Sequence, residues 1–234
     1  MPFFQLAIRA LLATAALLCC APCAVAAPVA PAQRSAYWNE RTSFFKTFGQ
    51  PADVVMIGDS LTDAAEWREM FPQLSIVNRG IDNDTTDGVL ARLDDVVAAR
   101  PRLAFVMIGV NDFSNAHAGV GGVLSNYRAI VARLQQAGIR VVIESTLPCN
   151  EALGQWKSCK AINGKIRKLD GQLARLASAD VAYADLAARL TDAHGLKKEF
   201  TYDGVHLNGE GYRVWRDVIA PYMTDTPARP SLKK

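Results

Sequence analysis

The sequence predicts an α/β chain: an open, mostly parallel sheet of five strands with helices on both faces. Three observations predict it. Five short apolar runs recur, several rich in β-branched residues, and near-continuous apolar runs are expected of strands covered on both sides. Between them lie longer stretches with apolar residues at helical spacing. The two kinds of segment alternate from residue 52 to residue 222, the pattern of a parallel sheet wound by crossover helices.

The elements follow in order. Residues 35–48 set Tyr37, Phe44, Phe45 and Phe48 at helical spacing, which predicts a helix lying on the core. The strands are expected at 54–57, 74–77, 103–108, 139–143 and 181–184. Residues 86–99 carry Val89, Leu90, Leu93, Val96 and Val97 on one side, so one helix is expected there. Helices are likewise expected at 123–137, 161–177 and 208–222, the last carrying Tyr212, Val214, Trp215, Val218 and Ile219. Gly138 stands where a glycine cap would end the second of these four.

A chain of 234 residues, 50% hydrophobic and 21% charged, can bury one sizeable core. That composition excludes a disordered chain, and 16 Gly with 11 Pro and no short repeat exclude collagen-like and low-complexity classes. A net charge of +3 gives no reason to expect nucleic acid or an anionic membrane as partner.

The start of the chain reads as a secretory signal peptide at residues 1–26: Arg9, an apolar stretch to Leu18, then Ala24-Val25-Ala26. The rival reading is a retained membrane anchor, since no charge intervenes between Arg9 and Arg34. Pro22, Pro28 and Pro31 interrupt that span and favour cleavage. Lipidation is disfavoured, because Cys19 precedes Cys20 and Pro22 precedes Cys23, where a small residue is needed. The expected organisation is a signal at 1–26, a flexible lead-in at 27–34, one domain at 35–224 and a tail at 225–234. The mature protein would be exported, to a periplasm or beyond, with no stable membrane insertion. Cleavage leaves two of the five cysteines, Cys149 and Cys159; a disulfide between them is expected, two free thiols being the alternative.

In open parallel sheets the reactive loops lie at the carboxyl ends of the strands. The first strand runs into Gly58-Asp59-Ser60-Leu61-Thr62-Asp63. A serine at a strand-to-helix junction sits among outward-pointing N–H groups that can stabilise an oxyanion. Taken alone, Ser60 is as well explained as a helix N-cap. Near the other end, Asp203 stands three residues before His206, close enough for carboxylate to bond imidazole and steady it as a base. His117 and His194 lie in loop contexts and read as solvated bystanders. Gly80 and Asn111 follow the second and third strands and can offer a backbone N–H and a side-chain amide; a turn glycine and a loop cap are the plainer readings.

These blocks, in this order from Gly58 to His206, resemble the GDSL/SGNH hydrolase superfamily, and the likeness spans residues 54–222. The resemblance implies a flavodoxin-like three-layer α/β/α sandwich. It implies Ser60 as nucleophile, His206 as general base, Asp203 as its orienting acid, and Ser60, Gly80 and Asn111 as oxyanion donors. Where the family often has Gly-Ile-x-Gly-Asp-Thr, this chain has Gly80-Ile81-Asp82-Asn83-Asp84-Thr85, so Asn83 replaces a glycine. Asn tolerates left-handed backbone better than most residues.

Asp59, Asp63 and Asp112 read as structural carboxylates bonded to backbone. No His-Glu-x-x-His motif or phosphate-cradling glycine loop is present, so no metal or nucleotide cofactor is expected, and the absence of Gly-x-Ser-x-Gly argues against the usual α/β-hydrolase elbow. The expected activity is an exported serine esterase acting on small-molecule, carbohydrate or lipid esters, with a short acyl group favoured. An acyltransferase or thioesterase using the same residues is the alternative, and a non-catalytic carbohydrate-binding module is a weaker one. The loop at residues 147–160, which carries Trp156, is expected to form one wall of the site; Trp67, Phe71 and Phe113 either line another or, as aromatic residues at such spacing more often do, belong to the core. Oligomeric state is not legible.

Overall fold

The computed structural model describes residues 34–153 and 156–224. The expected signal, most of the lead-in and the tail lie outside the described residues, as do Cys19, Cys20 and Cys23.

The order of elements is α1 Ala36–Phe48, β1 Val54–Gly58, α2 Ser60–Asp63, α3 Trp67–Met70, β2 Ile76–Gly80, α4 Thr86–Ala91 and α5 Leu93–Ala98. It continues with β3 Leu103–Met107, α6 Val110–Ser114, α7 Val120–Gln136, β4 Arg140–Glu144, α8 Cys159–Leu173 and β5 Val181–Ala184. α9 Ala187–Leu190, a small hairpin of β6 Thr191–Asp192 and β7 Gly195–Leu196, and α10 Gly209–Thr224 complete it. The main sheet is wholly parallel, in the order β2-β1-β3-β4-β5. Gly58 pairs with Gly80 on one side and with Met107 on the other, so three strands end on one rim. The loops leaving that rim hold the chemistry.

Strand alternation builds two cores. Val55 and Ile57 face one layer with Val89 and Leu93 of α4–α5, Tyr127 and Leu134 of α7, and Ile166 and Leu173 of α8. Val54 and Met56 face the other, with Trp67 of α3, Leu190 of α9, and Trp215 and Ile219 of α10. The rings of Trp67 and Trp215 meet edge to face, 5.2 Å between ring centres. The five-stranded α/β/α sandwich expected from the sequence is therefore present, and Gly138 does take the left-handed backbone of a helix cap (φ 74°).

Two elements differ from expectation, for physical reasons. The helix expected at 86–99 is broken at Arg92, where α4 ends and α5 begins. The Arg92 side chain turns inward, bonding Asp84 Oδ2 (2.8 Å) and the Gly58 carbonyl (3.3 Å). The second strand lies at 76–80 rather than 74–77. It is an edge strand, and its polar residues cover its own open backbone: Arg79 donates to the Asn78 carbonyl (3.0 Å), and the Gly80 N–H donates to Asn78 Oδ1 (2.8 Å).

Buried carboxyls give the fold a pH dependence. Glu144 ends β4, is 1% exposed, and accepts a hydrogen bond from Trp215 Nε1 at 2.6 Å. Burial pushes its carboxyl up to about 8, against the Trp215 bond, which lowers it. Burial raises Asp59 and Asp170 to about 7. These groups hold protons that the unfolded chain has released, so their contribution to stability declines as pH rises from the ordinary carboxylate range toward 8. The melting temperature should fall by at least roughly 4 °C between pH 5 and pH 8. Glu144→Gln should flatten the upper part of that slope, as calorimetry across the range would read.

Candidate active site

The buried strand β1 delivers Ser60 to the rim. Gly58 permits the approach: a Cβ there would meet Thr62 Oγ1 at 2.1 Å and the Met107 carbonyl at 2.5 Å. Asp59, not Ser60, caps α2, its Oδ1 accepting from the Leu61 N–H (3.2 Å). The Ser60 hydroxyl is thereby left free of capping. It lies 3.1 Å from His206 Nε2, across 146 residues of sequence. His206 Nδ1 lies 2.7 Å from Asp203 Oδ2. With Nδ1–H donating to that carboxylate, Nε2 presents its lone pair to the serine.

The turn carrying the imidazole is held from several sides. Asp203 Oδ1 accepts from the Val205 N–H (2.8 Å) and the His206 N–H (2.7 Å). Thr201 Oγ1 donates to the His206 carbonyl (2.6 Å) and accepts from the Gly204 N–H (2.8 Å). Burial pushes the Asp203 carboxyl up, but hydrogen bonds from the imidazole and two amides prevail and hold it below the usual range. Tyr202, 71% exposed, stacks beside the imidazole at 6.0 Å.

The expected disulfide is present between Cys149 and Cys159. Both cysteines pack with Val205 and Trp156, and the Asn150 N–H donates to the Gly204 carbonyl (2.7 Å). The pinned loop thus buttresses the histidine turn and brings Trp156 to the cleft. That cleft encloses about 350 Å³. Ser60, Asp82, Asn83, Asn111, Asn115 and His206 line it with polar groups, and Leu61, Val110, Trp156 and Val205 with apolar ones.

Asn111 is where the sequence placed it, on α6. Its Nδ2 donates to the Asp84 carbonyl (3.0 Å), which leaves one of its two N–H bonds for a ligand. Gly80 is a correction. Its N–H is consumed by Asn78 Oδ1, and a Cβ there would strike the Asp63 backbone at 2.2 Å, so it is a close-packing glycine that does not line the cleft. The next loop supplies a different amide. The N–H of Ile81 goes to the Gly58 carbonyl (3.1 Å), that of Asp82 to Asp63 Oδ2 (3.3 Å), that of Asp84 to the Ile81 carbonyl (3.1 Å), and that of Thr85 to Asp84 Oδ1 (2.9 Å). Among the described residues, the amides of Asn83 and Ser60 have no acceptor. Asn83 has left-handed backbone, φ 64°, and its Oδ1 accepts from Asn115 Nδ2. The available signal was the place where a glycine is usual in this block.

Other expectations sort plainly. Trp67, Phe71 and Phe113 are 2–5% exposed and belong to the cores, the second of the two readings open to them, and they do not line the cleft. His117 and His194 are exposed, away from the cleft. Asp63 accepts from the Tyr37 hydroxyl (2.7 Å) and the Asp82 N–H, and Asp112 accepts from the Thr86 N–H (3.0 Å) and hydroxyl. Burial raises Asp112 to about 6 against those bonds. Among the described residues, no group of three or more His, Cys, Asp or Glu side chains is placed to hold a metal ion, and no helix is long and apolar enough to cross a membrane.

Comparison with known proteins agrees with this frame. A family model described as GDSL-like Lipase/Acylhydrolase matches residues 56–214. The platelet-activating factor acetylhydrolase IB subunit alpha2 of Rattus norvegicus is 28% identical over 187 residues, covering 75% of this chain and 79% of that protein. A crystal structure of a GDSL-like lipase from Bacteroides thetaiotaomicron superposes with a TM-score of 0.67 at 20% identity, covering 81% of this chain and 98% of that one. A variant of an acetyl xylan esterase from Geobacillus stearothermophilus shares the fold at a TM-score of 0.57 and 18% identity, covering 78% and 99%. The chain belongs to the GDSL-like lipase/acylhydrolase family, hydrolases acting on ester bonds.

Proposed function

We propose that the protein is an exported serine esterase that removes short acyl groups through an acyl-enzyme on Ser60. The observation that carries this reading is the unbroken row of hydroxyl, imidazole and carboxylate, 3.1 Å and 2.7 Å apart, at the wall of an open cleft. In the first half-reaction Ser60 Oγ bonds to the ester carbonyl carbon while His206 Nε2 takes the hydroxyl proton. Asp203 orients the imidazole and steadies its charge. The N–H groups of Ser60 and Asn83 and the free N–H of the Asn111 amide receive the oxyanion. The carbon–oxygen bond to the alcohol then breaks, and His206 returns its proton to the departing oxygen. Water, deprotonated by His206, attacks the acyl-enzyme and releases the acid and Ser60.

The preference for short acyl groups rests on the cleft lining. A buried methylene is worth about 0.8 kcal/mol only against apolar surroundings, and Asp82, Asn83, Asn111 and Asn115 deny a long chain such a wall. Export rests on the N-terminal pattern and on the Cys149–Cys159 bridge, a bond persistent in oxidising compartments. The proposed organisation is a signal at 1–26, a lead-in at 27–34, the hydrolase domain at 35–224 and a tail at 225–234.

Treatment with a fluorophosphonate probe tests the nucleophile. The label should map to the peptide containing Ser60, and labelling elsewhere or none at all overturns the reading. A series of p-nitrophenyl esters tests the acyl pocket: kcat/KM should be highest for two to four carbons, and a clear preference for ten or more would refute a short-acyl site.

A further inference from the structure

The helix α1 lies outside the matched family segment, and at first sight it is a surface element: Phe44 and Phe48 are 51% and 62% exposed. Its first turn, however, reaches the loop that presents the Asn83 amide, and does so on both sides of Asn83. The Tyr37 hydroxyl donates to Asp63 Oδ2 (2.7 Å), the same oxygen that receives the Asp82 N–H (3.3 Å). Trp38 Nε1 donates to Asp84 Oδ1 (3.1 Å), the same oxygen that receives the Thr85 N–H (2.9 Å). The residue before Asn83 and the residue after it are therefore each tied, through one carboxylate, to adjacent residues of α1.

Asp84 extends the tie to the other donors. Its second oxygen pairs with Arg92 in an ion pair whose side chains are 0% and 1% exposed. Arg92 also holds the Gly58 carbonyl, two residues before Ser60, and the Asp84 carbonyl holds the Asn111 amide (3.0 Å). Arg34, just ahead of α1, lies 4.8 Å over the Trp38 ring and pairs with Asp87 of α4 (2.6 Å), closing the outer side of the indole. Asn83 needs such support. Its backbone is left-handed, which Asn tolerates but does not fix, and nothing in a sheet or helix ladder holds this amide, so its aim depends on what grips the residues on either side.

We propose that α1 clamps the oxyanion loop, with Tyr37 and Trp38 as positioning residues for the Asn83 amide. The proposal rests on the reading of Ser60, Asn83 and Asn111 as oxyanion donors. Neither side chain lines the cleft; both act through Asp63 and Asp84. A clamp of this kind affects the transition state, where the oxyanion is formed, and leaves ground-state binding nearly alone.

The test uses the full mature chain carrying Tyr37→Phe, Trp38→Phe, and both. Tyr37→Phe keeps the ring and removes only the donor; Trp38→Phe removes the donor with the pyrrole half of the indole and keeps an aromatic ring in place. Each single variant should lower kcat about 3- to 10-fold and the pair about 10- to 100-fold, because small displacements of catalytic groups are costly. KM should stay within about 2-fold, and inhibition by a boronic acid, which forms a tetrahedral adduct on the serine, should weaken in proportion to kcat. A folded double variant with undiminished kcat overturns the clamp. So does a loss that appears wholly in KM, or one that leaves boronic acid inhibition untouched. Should the double variant fail to fold, Tyr37→Phe decides alone, since that bond is on the surface and no core packing changes. The Ser60→Ala enzyme separates the two levels. If it retains activity, the underlying reading fails; if it is inactive while the double variant turns over normally, the clamp alone fails.

Discussion

Ser60→Ala should lower kcat/KM for a short p-nitrophenyl ester by at least about 10,000-fold, with no more than a small change in melting temperature. Both halves of that expectation come from the same local geometry. The hydroxyl faces His206 Nε2 at 3.1 Å, and in the proposed mechanism its loss removes the atom that forms the acyl bond. The helix it begins is capped by Asp59, whose carboxylate already holds the Leu61 amide, so the alanine deletes no capping bond. Steady-state kinetics and a thermal melt on the same preparation check both. Activity within tenfold of the parent enzyme, or a variant that melts many degrees lower, would contradict the account.

Asp203→Asn should cost about 1,000- to 10,000-fold in kcat with the fold intact. The carboxylate receives the imidazole N–H on one oxygen and two backbone N–H groups on the other. An amide satisfying the backbone with its oxygen must turn its NH₂ toward His206, which forces the ring into the tautomer with its proton on Nε2. A ring in that state cannot take the proton of Ser60. The variant carries a second signature. Because the Asp203 carboxyl is held below its ordinary value, its contribution to stability is present above the usual carboxylate range and is lost as pH falls through the lowered value. The Asn variant should lack that part of the acid-side loss, as melting curves taken below about pH 4 would show.

The same contrast between local and distant partners separates what the sequence makes legible from what it does not. Ser60 and Asn111 were legible as candidates because each follows a strand end, where a parallel sheet presents its loops. Asp203 and His206 are close enough in sequence to pair without knowledge of the fold. The cysteine pair was legible by spacing and compartment. The free amide of Asn83 was not. Whether a loop amide is free depends on who takes its neighbours, and here the takers are the Gly58 carbonyl and Asp63 Oδ2, brought by β1 and α2. Gly80 looked open because it lacks a side chain, yet that same lack is what lets it pack against the Asp63 backbone. The break at Arg92 was hidden for a related reason: helical periodicity records apolar residues, and a guanidinium turned inward to a buried carboxylate interrupts the helix without disturbing that record. Trp67, Phe71 and Phe113 were open to two readings, wall or core, and the two faces of the sheet absorbed them. The contribution of α1 was invisible, since Tyr37 and Trp38 meet the loop only through Asp63 and Asp84.

The chemistry then reduces to whether one serine, one imidazole and three N–H groups surround a single tetrahedral carbon. A crystal structure of the protein phosphonylated on Ser60 measures that directly. The account predicts phosphorus bonded to Ser60 Oγ, with its phosphoryl oxygen within hydrogen-bonding distance of the Ser60 amide, the Asn83 amide and Asn111 Nδ2 together. A phosphoryl oxygen turned to solvent, or one held by groups other than these three, would contradict it.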